Sequence, residues 1–273
     1  MQWGRVKNIL IVILAAINMF LLCSLGAKQW QESKRERALM ADLGALLDGC
    51  GIALGEGFRL PADVELPALS VDRSRTSEEA AGAAMLGEDM ERTEREDGAV
   101  LLESSAGALE WQADGTLSGQ CSTGERAPED ERQALRLARL LLDKWGLAPD
   151  DAVYTAEGRT VTMTGTAAGL PVFNRRLTLR FDGETTAVSG LWSFGTPYTT
   201  VRASGTFCAA ADALLSFAAA AQDCTRIDAM EVGYRLQTDS SRRLQLTPTW
   251  KITTDAGEYL VDCAKKTVLS PES

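Results

Sequence analysis

Six cysteines and no histidine bound the chemistry open to this chain of 273 residues. Without histidine there is no Ser-His-Asp or Cys-His catalysis, no histidine-containing zinc site and no phospho-accepting histidine. The cysteines are Cys23, Cys50, Cys121, Cys208, Cys224 and Cys263. No CxxC pair occurs, so a thioredoxin-like or zinc-knuckle signal is missing. Cys208 and Cys224 flank an expected helix that would hold them roughly 24 Å apart, too far to bridge. With Cys23 in an apolar run, an odd five remain, to be read as buried or idle thiols or as carrying one disulfide among them. The acid pairs Glu78/Glu79 and Glu129/Asp130 fall in expected first turns of helices, where carboxylates complement the helix dipole. Asp150/Asp151 follows Pro149 in a loop. Gly49, Gly51, Gly55 and Gly57 resemble a phosphate loop only superficially, because no Lys-Ser/Thr pair follows; they read as a linker. No catalytic, metal or cofactor set emerges, and the chain is expected to be no enzyme and to hold no cofactor.

The charge balance points the same way. Net charge is −10. Residues 1–27 hold Arg5 and Lys7 and no acid, so the remainder carries 26 basic against 38 acidic groups, or −12. Such a surface repels nucleic acid, and no nucleic-acid partner is expected.

Residues 9–27 contain no charged side chain. As a helix they span roughly 28 Å, close to the hydrocarbon thickness of a bilayer. Trp3 and Trp30 bracket the run where headgroup-level aromatic anchors belong. Leu25-Gly26-Ala27 is a poor signal-peptidase site, and Leu22 stands where a lipoprotein site before Cys23 would want a small residue. The expectation is one uncleaved transmembrane helix in the cell membrane, with the N-terminus cytoplasmic and the C-terminal domain extracytoplasmic. Ala15, Asn18, Met19, Leu22 and Gly26 share one face of it at helical spacing. Asn18 either bonds a partner helix across that face, gaining about 0.6–2 kcal/mol, or bonds its own backbone.

Beyond the run, a charged helix carries Ala38, Leu39, Leu43, Leu46 and Leu47 on one apolar face. A unit of one helix and several antiparallel strands then recurs, with a late turn at Gly115, Gly183 and Gly257, 68 and 74 residues apart. The helices begin at a capping box, Thr76-Ser-Glu-Glu79; near Pro128, with Gly146 past the end; and near Thr206. The expected organisation is a cytosolic tail (1–8), the span (9–27), a juxtamembrane helix and linker (28–57), and three α+β modules (58–125, 126–200 and 201–273).

Three segments carry a family resemblance. The start Met1-Gln-Trp3-Gly-Arg5-Val-Lys7-Asn-Ile9, running into a span with Asn18 and Phe20, resembles the N-terminus of the YycH/YycI family, on its YycI side. Gly169-Leu-Pro171-Val-Phe173-Asn174 is similar to that family's Pro-Val-Phe-Asn strand. Leu246-Thr-Pro248-Thr-Trp250-Lys-Ile252 with Asp255-Ala-Gly257-Glu-Tyr259-Leu-Val261 resembles its closing hairpin, which is also PepSY-like. Where the family hairpin often continues into Asn-Ala-x-Thr-Gly, Asp262-Cys263-Ala-Lys-Lys-Thr stands here. The resemblance implies an accessory regulator of the WalK/YycG sensor histidine kinase of a two-component system. Its implied partners are that membrane kinase, a YycH-like sister protein and the lipid bilayer. The implied fold class is α+β: an N-terminal transmembrane helix followed by PepSY-like helix-on-antiparallel-sheet modules. Trp250 and Ile252 share one strand face, and Tyr259 and Val261 share one on the return strand; they read either as core or as a partner-docking hairpin. The rival reading is a PepSY-like binding module that inhibits a protease or holds a peptide.

Overall fold

A computed structural model describes residues 18–20, 34, 38–149, 151–199, 205–220, 223–238 and 243–269. Alternation of apolar and polar residues with period two dominates the chain from residue 100 onward, and there it builds strands. Helix α1 (residues 38–49) precedes β1 (Ala53–Leu54), β2 (Val64–Pro67), β3 (Leu69–Val71) and α2 (Arg75–Leu86). Next come β4 (Glu91–Glu94), β5 (Val100–Ser104), β6 (Gly107–Trp111), β7 (Thr116–Ser122) and α3 (Glu131–Lys144). After α3 run β8 (Val153–Glu157), β9 (Thr160–Ala167), β10 (Leu170–Asp182) and β11 (Thr185–Leu191). The chain closes with β12 (Gly205–Cys208), α4 (Ala210–Ala219), β13 (Arg226–Thr238), β14 (Leu244–Thr254), β15 (Gly257–Asp262) and β16 (Val268–Leu269).

The expected separate helix-on-sheet modules are not what forms. Among the described residues fourteen strands join one mixed sheet in the order β16-β15-β14-β13-β10-β11-β7-β6-β5-β4, with β1, β3, β8 and β9 paired off this path. The physical reason is edge pairing. A module standing alone would leave its outer strands with unpaired N–H and C=O groups. Here β7 pairs with β11 along seven residues, and β10 reaches β13. The pairing also crosses the expected boundaries: β3 pairs with β14, β2 with β12, and β1 runs parallel to β13. Among the described residues no helix is long and apolar enough to cross a membrane. Of residues 9–27 only 18–20 are described; they are helical, with Met19 68% and Phe20 72% exposed.

Among the described residues three cores fill the sheet's faces. The largest joins α2 and α3 to β5–β7 and β9–β11 around Trp111, Leu142, Met163 and Leu177. A second lies between α1, α4 and β13–β15 around Leu47, Phe217, Trp250 and Val261. A third gathers Leu69, Val172, Tyr234 and Leu246.

Local chemistry moves several expected element ends. The N-cap of α2 is Ser74, whose hydroxyl accepts from Ser77 N, so the capping box at Thr76 does not form. Glu78 turns inward as a buried carboxylate gripped by Arg73 at 2.6 and 3.0 Å. Asp130 caps α3 by accepting from Gln133 N at 2.7 Å, which leaves Pro128 outside the helix. Helix α4 starts later than Thr206, because Gly205–Cys208 pair with Val64–Pro67 as a strand. Its first donor, Ala210 N, is capped from across the chain by Asp63 Oδ1 at 2.9 Å.

Candidate functional site

The leucines of α1 divide into two sets. Leu43 and Leu47 are buried, whereas Leu39 is 43% and Leu46 56% exposed. At 100° per residue the first pair centres about 70° from the second, too far for one narrow contact line to cover both. Leu39 and Met40 line an open groove of about 700 Å³ together with Phe58, Leu60, Pro61, Arg59 and Asp63. The groove lies beside the first turns of α1, where the chain arrives from residues 9–27.

The glycine run after α1 is tied down. Ile52 N donates to Leu47 O at 3.0 Å, closing the helix, and Ile52 is buried. Gly55 N donates to Ile227 O at 2.8 Å, so the run is bonded to β13.

The second feature is the junction between the two halves of the sheet. Strand β10 shifts register between Pro171 and Arg176. Within that interval Val172 pairs in parallel with Tyr234. At Asn174 the side chain replaces the backbone: its Nδ2 donates to Leu236 O and its Oδ1 accepts from Leu236 N, both at 2.8 Å. A Cβ on Gly233 would collide with the Pro171 carbonyl and the Phe173 ring, so only glycine admits this approach. The Pro171-Val-Phe173-Asn174 motif thus bridges the two halves.

An ionic cluster covers the neighbouring face. Lys251 Nζ lies 2.6 Å from Glu231 and 3.1 Å from Glu258, and 5.4 Å from the Phe173 ring centroid. Burial pulls the Lys251 pKa down, but the two carboxylates outweigh it and hold the group above its ordinary value. Burial raises Glu258, yet Lys251 and Arg176 bring it below the usual carboxylate range. Arg175 packs 4.2 Å from the Trp192 ring centroid and donates to Ser193 O at 2.9 Å. Burial lowers its pKa to about 10.

Trp250, Ile252, Tyr259 and Val261 are all buried in the second core. Phe217 of α4 meets Tyr259 edge-on at 5.1 Å. These side chains pack inside the chain. Asn18 and Met19 are exposed helical residues; Ala15, Leu22 and Gly26 lie outside the described residues. Cys50 is exposed, Cys121, Cys208, Cys224 and Cys263 are buried, and all five are free thiols. Among the described residues no group of three or more Cys, Asp or Glu is placed to hold a metal ion.

No family model and no curated protein matches the sequence. Solved structures similar in fold include an uncharacterized protein from Eubacterium rectale ATCC 33656, with a TM-score of 0.47 and 9% identity. That similarity covers 77% of this chain and 87% of the other. Another is the Bacillus megaterium YpeB C-terminal domain, with a TM-score of 0.31 and 8% identity over 75% of this chain and 100% of that one.

Proposed function

We propose that this protein is an extracytoplasmic accessory regulator of a two-component sensor histidine kinase of the WalK/YycG kind, as the YycI-like sequence segments suggest. It acts by contact and carries out no reaction. The uncharged residues 9–27 hold it at the membrane, and Ala15, Asn18, Met19, Leu22 and Gly26 form the contact stripe there. The observation that carries the reading is α1, which follows that run and keeps Leu39 and Leu46 exposed, with Leu39 lining an open groove. A contact surface at that place can meet the membrane-proximal part of a kinase or a YycH-like sister protein. Regulation then requires different contact energy with the two signalling states of the kinase.

The test is crosslinking and co-purification from membranes, read together with kinase output. Burying two leucines is worth on the order of 3 kcal/mol, about 100-fold in affinity. The double change Leu39→Asp, Leu46→Asp is therefore expected to release the kinase, and Asn18→Leu to weaken its capture. Undiminished capture and output in both variants overturns the proposal. So does mature protein in the medium lacking its first thirty residues.

A further inference from the structure

The first half of the sheet has one covered face and one open face. Leu102, Leu109, Val161, Leu179 and Val188 point to the side on which α2 and α3 pack. The residues that alternate with them point the other way, and many of those are small, hydroxyl-bearing or charged. One row crosses seven strands by direct pairing. Thr160 of β9 stands opposite Arg180 of β10, Arg180 opposite Ala187 of β11, and Ala187 opposite Gln120 of β7. Gln120 stands opposite Ala108 of β6, Ala108 opposite Glu103 of β5, and Glu103 opposite Glu91 of β4. Like charges directly opposite one another destabilise a strand pair, so Glu91 and Glu103 call for a cation. Among the described residues neither they nor Arg180 enters a salt bridge. Arg180 is four strands from Glu103, about 19 Å at 4.8 Å per strand, beyond the reach of its own side chain.

We propose that this face docks a second copy of the chain through a two-fold axis running along β7. The seven strands stand in the order β9-β10-β11-β7-β6-β5-β4, with β7 in the middle. A half-turn about an axis parallel to β7 lays β10 over β5 of the second copy, β11 over β6 and β9 over β4. Arg180 then meets Glu103, twice by symmetry, and supplies the cation that the glutamates lack. Ala187 lies over Ala108, two small side chains that let the sheets approach. Gln120 meets its own equivalent, amide to amide. Thr160 brings a hydroxyl donor over Glu91, and in the adjoining row Ser189 brings one over Glu110. In these two rows no like charges come together.

The groups this contact uses face solvent in the single chain: Gln120, Arg180, Ser189, Glu103 and Glu91 are all exposed. Arg176 is held by Glu258 at 3.4 Å, where the second half of the sheet begins, and lies outside the two rows. The size of the face sets the strength of the contact. From β9 to β4 it measures about 29 Å by 15 Å, so the two copies together cover roughly 900 Å², well under the 1,600 Å² or so of a standard interface. The dimer is therefore of the weak, transient class, and complementary charge fixes its register more than it adds affinity.

The test places a thiol on the axis. Gln120→Cys is introduced into the full-length chain together with Cys23→Ser and Cys50→Ser, and the purified protein is oxidised with copper phenanthroline. The expected product is a dimer linked at position 120 of both copies, mapped by mass spectrometry, while Asp48→Cys in the same background stays unlinked. In sedimentation velocity, Arg180→Glu or Glu103→Arg alone is expected to weaken dimerisation of the unlinked protein about tenfold, and the two together to restore it. If Gln120→Cys fails to fold, the sedimentation series on the parent chain decides alone. A chain that stays monomeric and unlinked overturns the proposal. So does a dimer indifferent to both charge reversals, or a double variant no better than either single one. A link from position 120 to a different protein in membranes, with none between copies, overturns it too.

Discussion

Replacing Asn174 by alanine tests whether one side chain joins the two halves of the sheet. The change removes two hydrogen bonds of 2.8 Å and leaves the N–H and C=O of buried Leu236 without those partners. An unsatisfied buried group costs about 1–3 kcal/mol, and the space left by the shorter side chain admits some water, so the loss is about 2–4 kcal/mol. In a chain of this size that lowers the melting temperature by roughly 5–12 °C. Asn174→Asp sharpens the test. It keeps the acceptor for Leu236 N but sets a second oxygen against Leu236 O. Only the protonated acid can donate there, so folding raises its pKa above the unfolded value of about 3.9. The rescue is therefore complete below that value and disappears as pH rises through the folded pKa. Thermal melts followed by near-UV circular dichroism, with amide exchange at Leu236, read both variants. An alanine variant that melts within about 1 °C of the parent, with Leu236 exchanging at the parental rate, refutes the junction.

Other perturbations probe different parts of the fold. Arg73→Ala strands the buried Glu78 carboxylate and should cost about 3–5 kcal/mol in chemical denaturation, while Arg73→Met with Glu78→Leu restores most of it. Gly233→Ala forces β13 away from Pro171 and should lower the melting temperature even though alanine suits a strand better than glycine does. Burial pushes the Cys121 thiol up to about 11, so iodoacetamide at pH 8.5 should modify Cys50 and spare Cys121. Because the folded pKa of Cys121 is raised, its contribution to stability is whole below an unfolded value of about 8.5 and lost as pH rises toward 11. Cys121→Val should flatten that alkaline loss in a series of melts.

The regular elements were legible where the pattern is local. Ala134, Ala138, Leu141 and Leu142 recur at helical spacing and are the buried side of α3. The turn at Asp182-Gly183 lies between the strands β10 and β11, which pair as neighbours. The sheet that joins these pieces was not legible, because ladder bonds use backbone groups that are the same in every residue. Nothing in Thr206-Phe207-Cys208 announces a partner at Val64–Pro67, so by its own pattern the stretch reads as the start of the helix. The hairpin residues showed their alternation but not what covers them; α4 and α1 do. The groove beside α1 was hidden for a related reason: five apolar residues on one helix define an arc, and only the packed structure shows how much of it the core uses.

The route of the chain decides how a contact near residues 9–27 can reach the rest of the molecule. Leu47 and Ile52 enter the core of α4 and β13–β15, and β1 pairs with β13 at Arg226 and Ile227. Helix α1 is thus fastened, through the strand that follows it, to a strand more than 170 residues later. Strand β13 also carries Gly233, Tyr234 and Leu236, the residues met by β10 at the junction. A partner that shifts α1 therefore pushes on β13 first, and Asn174 and Gly233 lie where that strain passes into the other half. Coupling along this path needs two discrete packings of the junction, and a close-packed contact of this kind resists gradual deformation. On the proposed function, a substitution at Asn174 that leaves α1 and its groove intact should therefore separate binding of a partner at the groove from any response that needs both halves of the sheet to move as one.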